Sequence, residues 1–345
     1  MKKYSVISLF TGCGGLDLGF VGGFTFMNKL YPKSNFEIIW ANDIDKPSCQ
    51  TFSNYFDHDI VCGDITQILD GNPNSFFDKP LPEHADIVIG GFPCQDFSHA
   101  GKRKGFNAKR GLLYQSMCEV VRRTKPILFV AENVKGLTTM DDGRALKTII
   151  NDFEKLGYNV TYKLLTAADY GVPQIRERVI IVGTRKESLP LFEHPKPILD
   201  KNEWVTLKEA IGDLENVPEG AVANHYWSKA KMFPGTQGNT FVSPDKPGPT
   251  MRTEHHGNIE WHWNKKRRLS AREAARIQSF PDDFVFYPST SSAYKQIGNA
   301  VPPVLAWHVA RAIEKFLNKN VEKSKVESSP SLDRLLATQT EARTL

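Results

Sequence analysis

Apolar residues along this chain cluster in short continuous runs rather than strict alternation. Tyr4 to Phe10, Phe36 to Trp40, Ala85 to Ile89 and Ile127 to Val130 are such runs, each followed by glycine, proline, asparagine or aspartate within a few residues. Continuous short runs mark strands buried on both faces of a parallel sheet. Further strands are expected just before Gly63, over Asn159 to Leu165 and over Val179 to Gly183. A helix fits Leu16 to Phe20 and another starts near Pro47. Strands alternating with helices predict an α/β fold built on a mostly parallel, Rossmann-like sheet.

The pattern changes after Arg185. Residues 186–262 are rich in Pro, Gly, Asn, His and Trp and show little helical period, Trp204 to Leu214 being the clearest short helix. A smaller, irregular, mainly β domain is expected there. Helical order returns after Leu269, where Ser270 is placed to cap a helix with Glu273 as its capping-box partner. A last helix is expected from about Val304 to Leu317. The expected division is residues 1–185 with 290–318 as the larger domain, 186–289 as the smaller, and 319–345, rich in Lys, Glu, Ser and Thr, as a disordered tail.

Candidate chemistry sits at the strand tips. Cys94 follows the run Ala85 to Ile89 through Gly90-Gly91-Phe92-Pro93, and Glu132 follows the run ending at Val130. Open α/β sheets bind ligands beyond the carboxyl ends of their strands, so a thiol and a carboxyl group can meet there. That pairing points to covalent chemistry on a polar ring. Thr11-Gly12-Cys13-Gly14-Gly15 is either a tight structural turn or a turn that lets a ligand approach the backbone. It is neither Gly-x-Gly-x-x-Gly nor a phosphate-binding Walker loop. Asp43, at the tip of the second run, is placed to hold ribose hydroxyls or to cap the following helix. Asp64 and Ile65 offer a polar and an apolar contact suited to an adenine. If Tyr170 to Arg178 is extended, Gln174, Arg176 and Arg178 share one face, for function or for a salt-bridge network with Glu132.

Charge and cysteine usage narrow the class. Net charge is +5, yet residues 1–94 hold six Lys/Arg against eleven Asp/Glu, so the remainder carries +10. Basic residues cluster over 102–125 and in Lys265-Lys266-Arg267-Arg268. Such clusters are either solvated faces or the footprint of a polyanion. Five cysteines without a Cys-x-x-Cys pair fit a reducing compartment, with no disulfide framework and no metal site. No run approaches the roughly 18 apolar residues of a membrane span, and the N-terminus has no signal-peptide pattern.

Taken in order, these residues resemble the DNA (cytosine-5)-methyltransferase family of bacterial restriction-modification systems. The resemblance runs from about residue 5 to 317 and rests on Phe10-x-Gly12-x-Gly14-Gly15, Pro93-Cys94-Gln95, Arg110-Gly111-x-Leu113, Glu132-Asn133-Val134, Gln174-x-Arg176-x-Arg178, Arg268-x-x-x-Arg272-Glu273-x-x-Arg276 and Gln296-Ile297-Gly298-Asn299-Ala300-Val301. It implies S-adenosyl-L-methionine as cofactor, double-stranded DNA as partner and a flipped cytosine as substrate. By the same resemblance Phe10, Gly12, Gly15, Asp43, Ile44, Asp64, Ile65, Pro93, Leu113, Asn299 and Val301 line the cofactor pocket, with Asp43 replacing the family's commoner Glu. Cys94 is then the nucleophile, Glu132 the group at N3 of the base, and Arg178 with Arg176 the holders of its O2. Asn133 would fix the loop that carries Glu132. Gln95, Ser98, Arg110, Gln237, Thr250 and Arg272 are assigned to DNA, residues 95–110 to a loop closing over it, and 186–289 to target recognition. Trp227, His255, His256, Trp261 and Trp263 are placed to contact DNA or to pack a core.

The expected setting is the cytoplasm of a bacterium or a phage host, with the chain acting as a monomer beside a cognate restriction endonuclease encoded nearby. Because the motifs begin near residue 5, no N-terminal regulatory domain is expected. Three alternatives remain: an RNA cytosine-5 methyltransferase, a non-catalytic DNA-binding regulator on the same fold, and a nicotinamide-dependent reductase. The RNA branch carries a Cys-Phe-Thr signature that is missing here.

Overall fold

The structure is a computed structural model. It describes residues 2–58, 60–71, 79–93, 113–232, 239–252 and 259–328, with side chains as far as residue 320. Nine strands form among them: β1 (Tyr4–Leu9), β2 (Phe24–Phe26), β3 (Lys29–Tyr31), β4 (Phe36–Asp43), β5 (Val61–Cys62), β6 (Ile87–Gly90), β7 (Leu128–Val134), β8 (Tyr158–Thr166) and β9 (Glu177–Arg185). Seven make one sheet in the order β5-β4-β1-β6-β7-β9-β8. β9 runs antiparallel to both neighbours, and the other pairs are parallel. The Rossmann-like, mostly parallel sheet is therefore as expected. Chain order reverses between β1 and β6, which places a crevice beyond their carboxyl ends.

The continuous apolar runs divide their side chains between two cores. Val6, Ile87, Ile89 and Val130 face one side with Leu16 and Leu18 of α1 (Gly15–Val21). Ile7, Leu9, Val88 and Phe129 face the other with Met117 and Val120 of α4 (Leu113–Thr124) and Ile149 of α5 (Arg144–Lys155). Between α1 and α4 come α2 (Lys46–Tyr55) and α3 (Ile65–Leu69). The period of two in a strand sends neighbours to opposite faces, so a run apolar throughout is what two covered faces require.

Three features differ from the sequence reading. The hairpin β2–β3 was not expected; Met27 and Asn28 at its turn both have positive φ, the geometry of a tight two-residue turn. Among the described residues of 186–289 no extended strand forms. That segment is held by isolated bridges such as Phe241 to Trp261 and Trp227 to Ser270, by the short helix α6 (Leu207–Ile211) and by α7 (Ala271–Ile277). Its prolines and glycines interrupt any long ladder. After α8 (Thr290–Asn299), the last helix α9 spans Pro303–Ser328 rather than ending near Leu317. No glycine or proline interrupts the polar stretch before Pro330, so good helix formers continue it. The Ser270 cap is as read: its hydroxyl accepts from the Glu273 N–H while the Glu273 carboxylate accepts from the Ser270 N–H.

Gly15, the first residue of α1, packs on the segment between α8 and α9. A Cβ there would stand 2.4 Å from the Val301 carbonyl oxygen and 3.1 Å from the Phe280 ring. Gly15→Ala is therefore expected to destabilise the fold by about 1–3 kcal/mol, the usual cost of overpacking. Gly136→Ala, whose Cβ would meet nothing closer than 3.9 Å, should stay within about 0.5 kcal/mol. Urea denaturation midpoints of the two variants check the contrast.

Candidate active site

β6 and β7 run side by side with Gly90 paired to Ala131. Glu132 thus lies abreast of Gly91, one step beyond the end of β6. A Cβ on Gly91 would come within 2.8 Å of the Glu132 carboxylate, so only glycine leaves that carboxylate its place. The Asn133 side-chain amide donates to the Phe92 carbonyl at 2.9 Å. Asn133 therefore anchors the Gly91-Phe92-Pro93 segment leading to Cys94, rather than a loop carrying Glu132, which sits within β7 itself. Phe92 is buried against Tyr114 of α4, while Pro93 is exposed. Cys94 lies outside the described residues, as do Gln95, Ser98, Arg110, the 95–110 segment, Gln237, His255 and His256.

Glu132 and Arg178 form a buried ion pair, with guanidinium Nε and carboxylate Oε1 2.8 Å apart. Burial pushes the Glu132 carboxyl above the usual carboxylate range, and the charges of Arg178 and Arg176 only partly oppose it. Arg178 opens on a cleft of about 360 Å³ lined also by Lys135, Glu177, Thr250 and Arg252. Lys135 pairs with Glu177 at 2.8 Å across this cleft. Neither Lys135 nor Arg252 was singled out from the sequence; the usable signal was that Lys135 directly follows Glu132-Asn133-Val134.

The alternation of Gln174, Arg176 and Arg178 holds: all three are buried, while Ile175 between them is 44% exposed. Their roles differ. Arg176 is fully buried and donates to the carbonyls of Met251 at 2.8 Å, Gly298 at 2.7 Å and Ala300 at 3.0 Å. The expectation that it would hold a substrate oxygen is corrected, since its guanidinium is enclosed and its terminal nitrogens serve the backbone. Gln174 accepts from the Met251 N–H at 2.9 Å and donates to Gln278. Thr250 donates its hydroxyl to the Ile175 carbonyl at 2.8 Å, which keeps it at the cleft beside β9. Arg272 is likewise corrected: it is wholly buried, donating to the carbonyls of Ala223, Pro281 and Phe284. Within Lys265-Lys266-Arg267-Arg268 only the lysines are exposed. Arg267 pairs with Glu273 through two 2.7 Å bonds, and Arg268 serves the carbonyls of Ala230, Lys231 and Ile259.

The second half of the site lies at the tips of β1, β4 and β5. The Asp43 carboxylate accepts from the N–H of Gly12 at 2.7 Å and of Asp45 at 2.8 Å. The helix cap at this point is Asp45, which accepts from the Ser48 N–H, so Asp43 is not needed there. Ile44 beside it is an apolar side chain left 67% exposed. Asn42, fully buried, donates to the carbonyls of Val61 at 2.8 Å and Gly63 at 2.9 Å, which docks the Gly63-Asp64 turn against β4. Asp64 caps α3, and Ile65 is buried in the second core. Phe10 and Gly12 line the turn after β1, Leu113 opens α4, and Asn299 is exposed beside buried Val301. A carboxylate, an exposed apolar side chain and an open glycine turn fit a ribose and a base without a polyphosphate. Among the described residues no cluster of three metal-ligating side chains occurs, and no helix is long and apolar enough to cross a membrane.

Fold and site together set the Asp43–Gly12 turn at the switch point of a mostly parallel α/β sheet, with a buried carboxyl–guanidinium pair beside it. A model of the family described as C-5 cytosine-specific DNA methylase matches residues 4–242 and 227–315. The Type II methyltransferase M.NgoFVII of Neisseria gonorrhoeae is 38% identical, covering 93% of this chain and 89% of its own length. M.BsuRI of Bacillus subtilis is 35% identical over 98% of this chain and 85% of its own. A prophage-encoded Escherichia coli protein described as a DNA modification methyltransferase shares the fold, with TM-score 0.66 at 24% identity over 92% of this chain and all of that one. The chain belongs to the C-5 cytosine-specific DNA methylase family and is a DNA cytosine-5 methyltransferase of the type II kind.

Two outcomes follow from the geometry. Arg176→Met strips three carbonyls of a charged donor and should cost at least about 2 kcal/mol in urea denaturation. Glu132 has a folded pKa above its unfolded value of about 4.3. Its contribution to stability is therefore full below that value and is lost as pH rises through the folded pKa. Glu132→Gln should flatten this part of the stability–pH curve.

Proposed function

We propose that the protein transfers a methyl group from S-adenosyl-L-methionine to C5 of a cytosine flipped out of duplex DNA, with Cys94 bonded to C6 during the reaction. The observation that carries the reading is the buried Glu132–Arg178 pair packed against Gly91, three residues before Cys94 in the chain.

Cytosine C5 is a weak nucleophile until a thiolate adds at C6 and pushes electrons toward it. Cys94 supplies that thiolate. Electron density then builds toward N3 and O2. Glu132, whose carboxyl burial makes easier to protonate than an exposed one, shares a proton with N3. Arg178, the cationic partner that opens on the cleft, holds O2 and orients the ring. Asp43 and the Gly12 turn would hold the ribose of the cofactor, Asp64 and Ile44 its adenine. When bound, the cofactor supplies the electrophilic methyl group that C5 takes up. Transfer of the C5 proton to solvent then re-forms the C5–C6 double bond and expels Cys94 as thiolate. The exposed Lys135 and Arg252 at the cleft and the basic stretch over 102–125 suit a phosphate backbone. Methylation of this kind would protect host DNA from a cognate endonuclease.

Transfer of labelled methyl groups to duplex DNA, with tRNA as the competing substrate, tests the activity and separates it from RNA modification and from simple DNA binding. Cys94→Ser should abolish transfer and the trapped adduct on 5-fluorocytosine DNA while DNA and cofactor still bind. A normal adduct with that variant would falsify the covalent step. Glu132→Gln should lower kcat by about 10²–10⁴-fold, and wild-type kcat should fall as pH rises through the raised Glu132 pKa.

A further inference from the structure

Beneath the turn that follows β1 lies a carboxyl group with no part in the chemistry above. Asp17, in the first turn of α1, is wholly buried and accepts a hydrogen bond from the Thr11 hydroxyl. Burial raises its pKa, against the opposing hydroxyls of Thr11 and Ser8. A buried carboxyl is a costly way to fill a core, and an apolar residue would do so more cheaply. The bond it makes has a clear target. Thr11 stands between Phe10, at φ +53°, and Gly12, at φ +57°. Phe10 is a large side chain in a backbone region that favours glycine, and such a conformation persists only where its surroundings hold it. Thr11 is held at three points: its hydroxyl donates to Asp17, its N–H donates to the Asn42 carbonyl at 3.1 Å, and its carbonyl accepts from the Gly14 N–H at 3.0 Å. The next N–H, that of Gly12, donates to the Asp43 carboxylate at 2.7 Å. A Cβ on Gly12 would meet nothing within 4 Å, so the turn faces open space on its ligand side.

We propose that Asp17 is a positioning residue for the cofactor: through Thr11 it locks the Phe10–Gly12 turn in the shape that aims the Gly12 N–H at Asp43 and leaves the ribose site preformed. This rests on the cofactor reading given above. A turn that spends only a tenth of its time in the bound shape binds about tenfold more weakly.

The test measures S-adenosyl-L-methionine affinity by calorimetry, DNA affinity by gel shift, and thermal unfolding. Thr11→Val and Asp17→Leu should each weaken cofactor binding about tenfold and leave DNA affinity within twofold. Asp17→Asn keeps an oxygen acceptor for Thr11 and should stay within threefold of the wild type. The double variant Thr11→Val with Asp17→Leu removes both partners, so it should unfold at or above the wild-type temperature while still binding the cofactor about tenfold more weakly. A merely structural pair would show the reverse, lost stability with cofactor affinity unchanged, and that result overturns the proposal. Wild-type affinity in Thr11→Val alone overturns it too, and that variant replaces one side chain by another of the same shape. If the wild-type protein binds no cofactor, the reading beneath the proposal fails with it.

Discussion

The buried guanidinium of Arg176 is the constraint on which the rest of the site depends. It bonds the carbonyls of Met251, Gly298 and Ala300, three groups that are far apart in the chain. Taking one partner from such a buried charge is strongly destabilising, because what remains is desolvated and unpaired. The arrangement is therefore close to all-or-none, and its consequences run in two directions. Two residues on, at the start of β9, Arg178 is delivered to Glu132. Through Ala300, the neighbouring Val301 carbonyl is pressed against Gly15 at the start of α1. The Glu132 carboxyl and the start of α1 thus share a single anchor.

The same device recurs through the segment that lacks regular structure. Carbonyls outside helices and ladders still need donors when buried. Arg268 serves those of Ala230, Lys231 and Ile259, and Arg272 those of Ala223, Pro281 and Phe284. A guanidinium carries five N–H donors in a rigid fork, so one side chain can tie several irregular segments together. Trp261 stacks over Arg268, and Trp227 over Arg267, which covers the planar cations with aromatic surface. These tryptophans are part of how the arginines are housed. Within the Lys265–Arg268 cluster the exposed positive charge comes from Lys265 and Lys266 instead.

Much of the fold was legible in the order of residues. Apolar runs located seven strands, and the two-residue period correctly placed Gln174, Arg176 and Arg178 on one buried face. Ser270 with Glu273 predicted a helix start that the capping bonds reproduce. The hairpin β2–β3 was missed because its strands are only three residues each and its turn carries no glycine. Arg272 was misplaced because an arginine in a basic-looking motif reads the same whether its donors meet phosphates or carbonyls. Asp43 was left open between a ribose contact and a helix cap; Asp45, two residues on, takes the cap.

What residue order decided alone was local: where strands run and where helices begin. Period and capping act within a few residues, and each leaves a trace in the pattern itself. The three-dimensional fold decided which charges are interior, how closely the Val301 carbonyl and the Glu132 carboxylate approach Gly15 and Gly91, and that Asn133 holds the Phe92 segment. These depend on contacts between residues as far apart as Arg176 and Gly298 or Gly15 and Val301. No local pattern encodes such a contact, because its energy exists only once both segments are packed together.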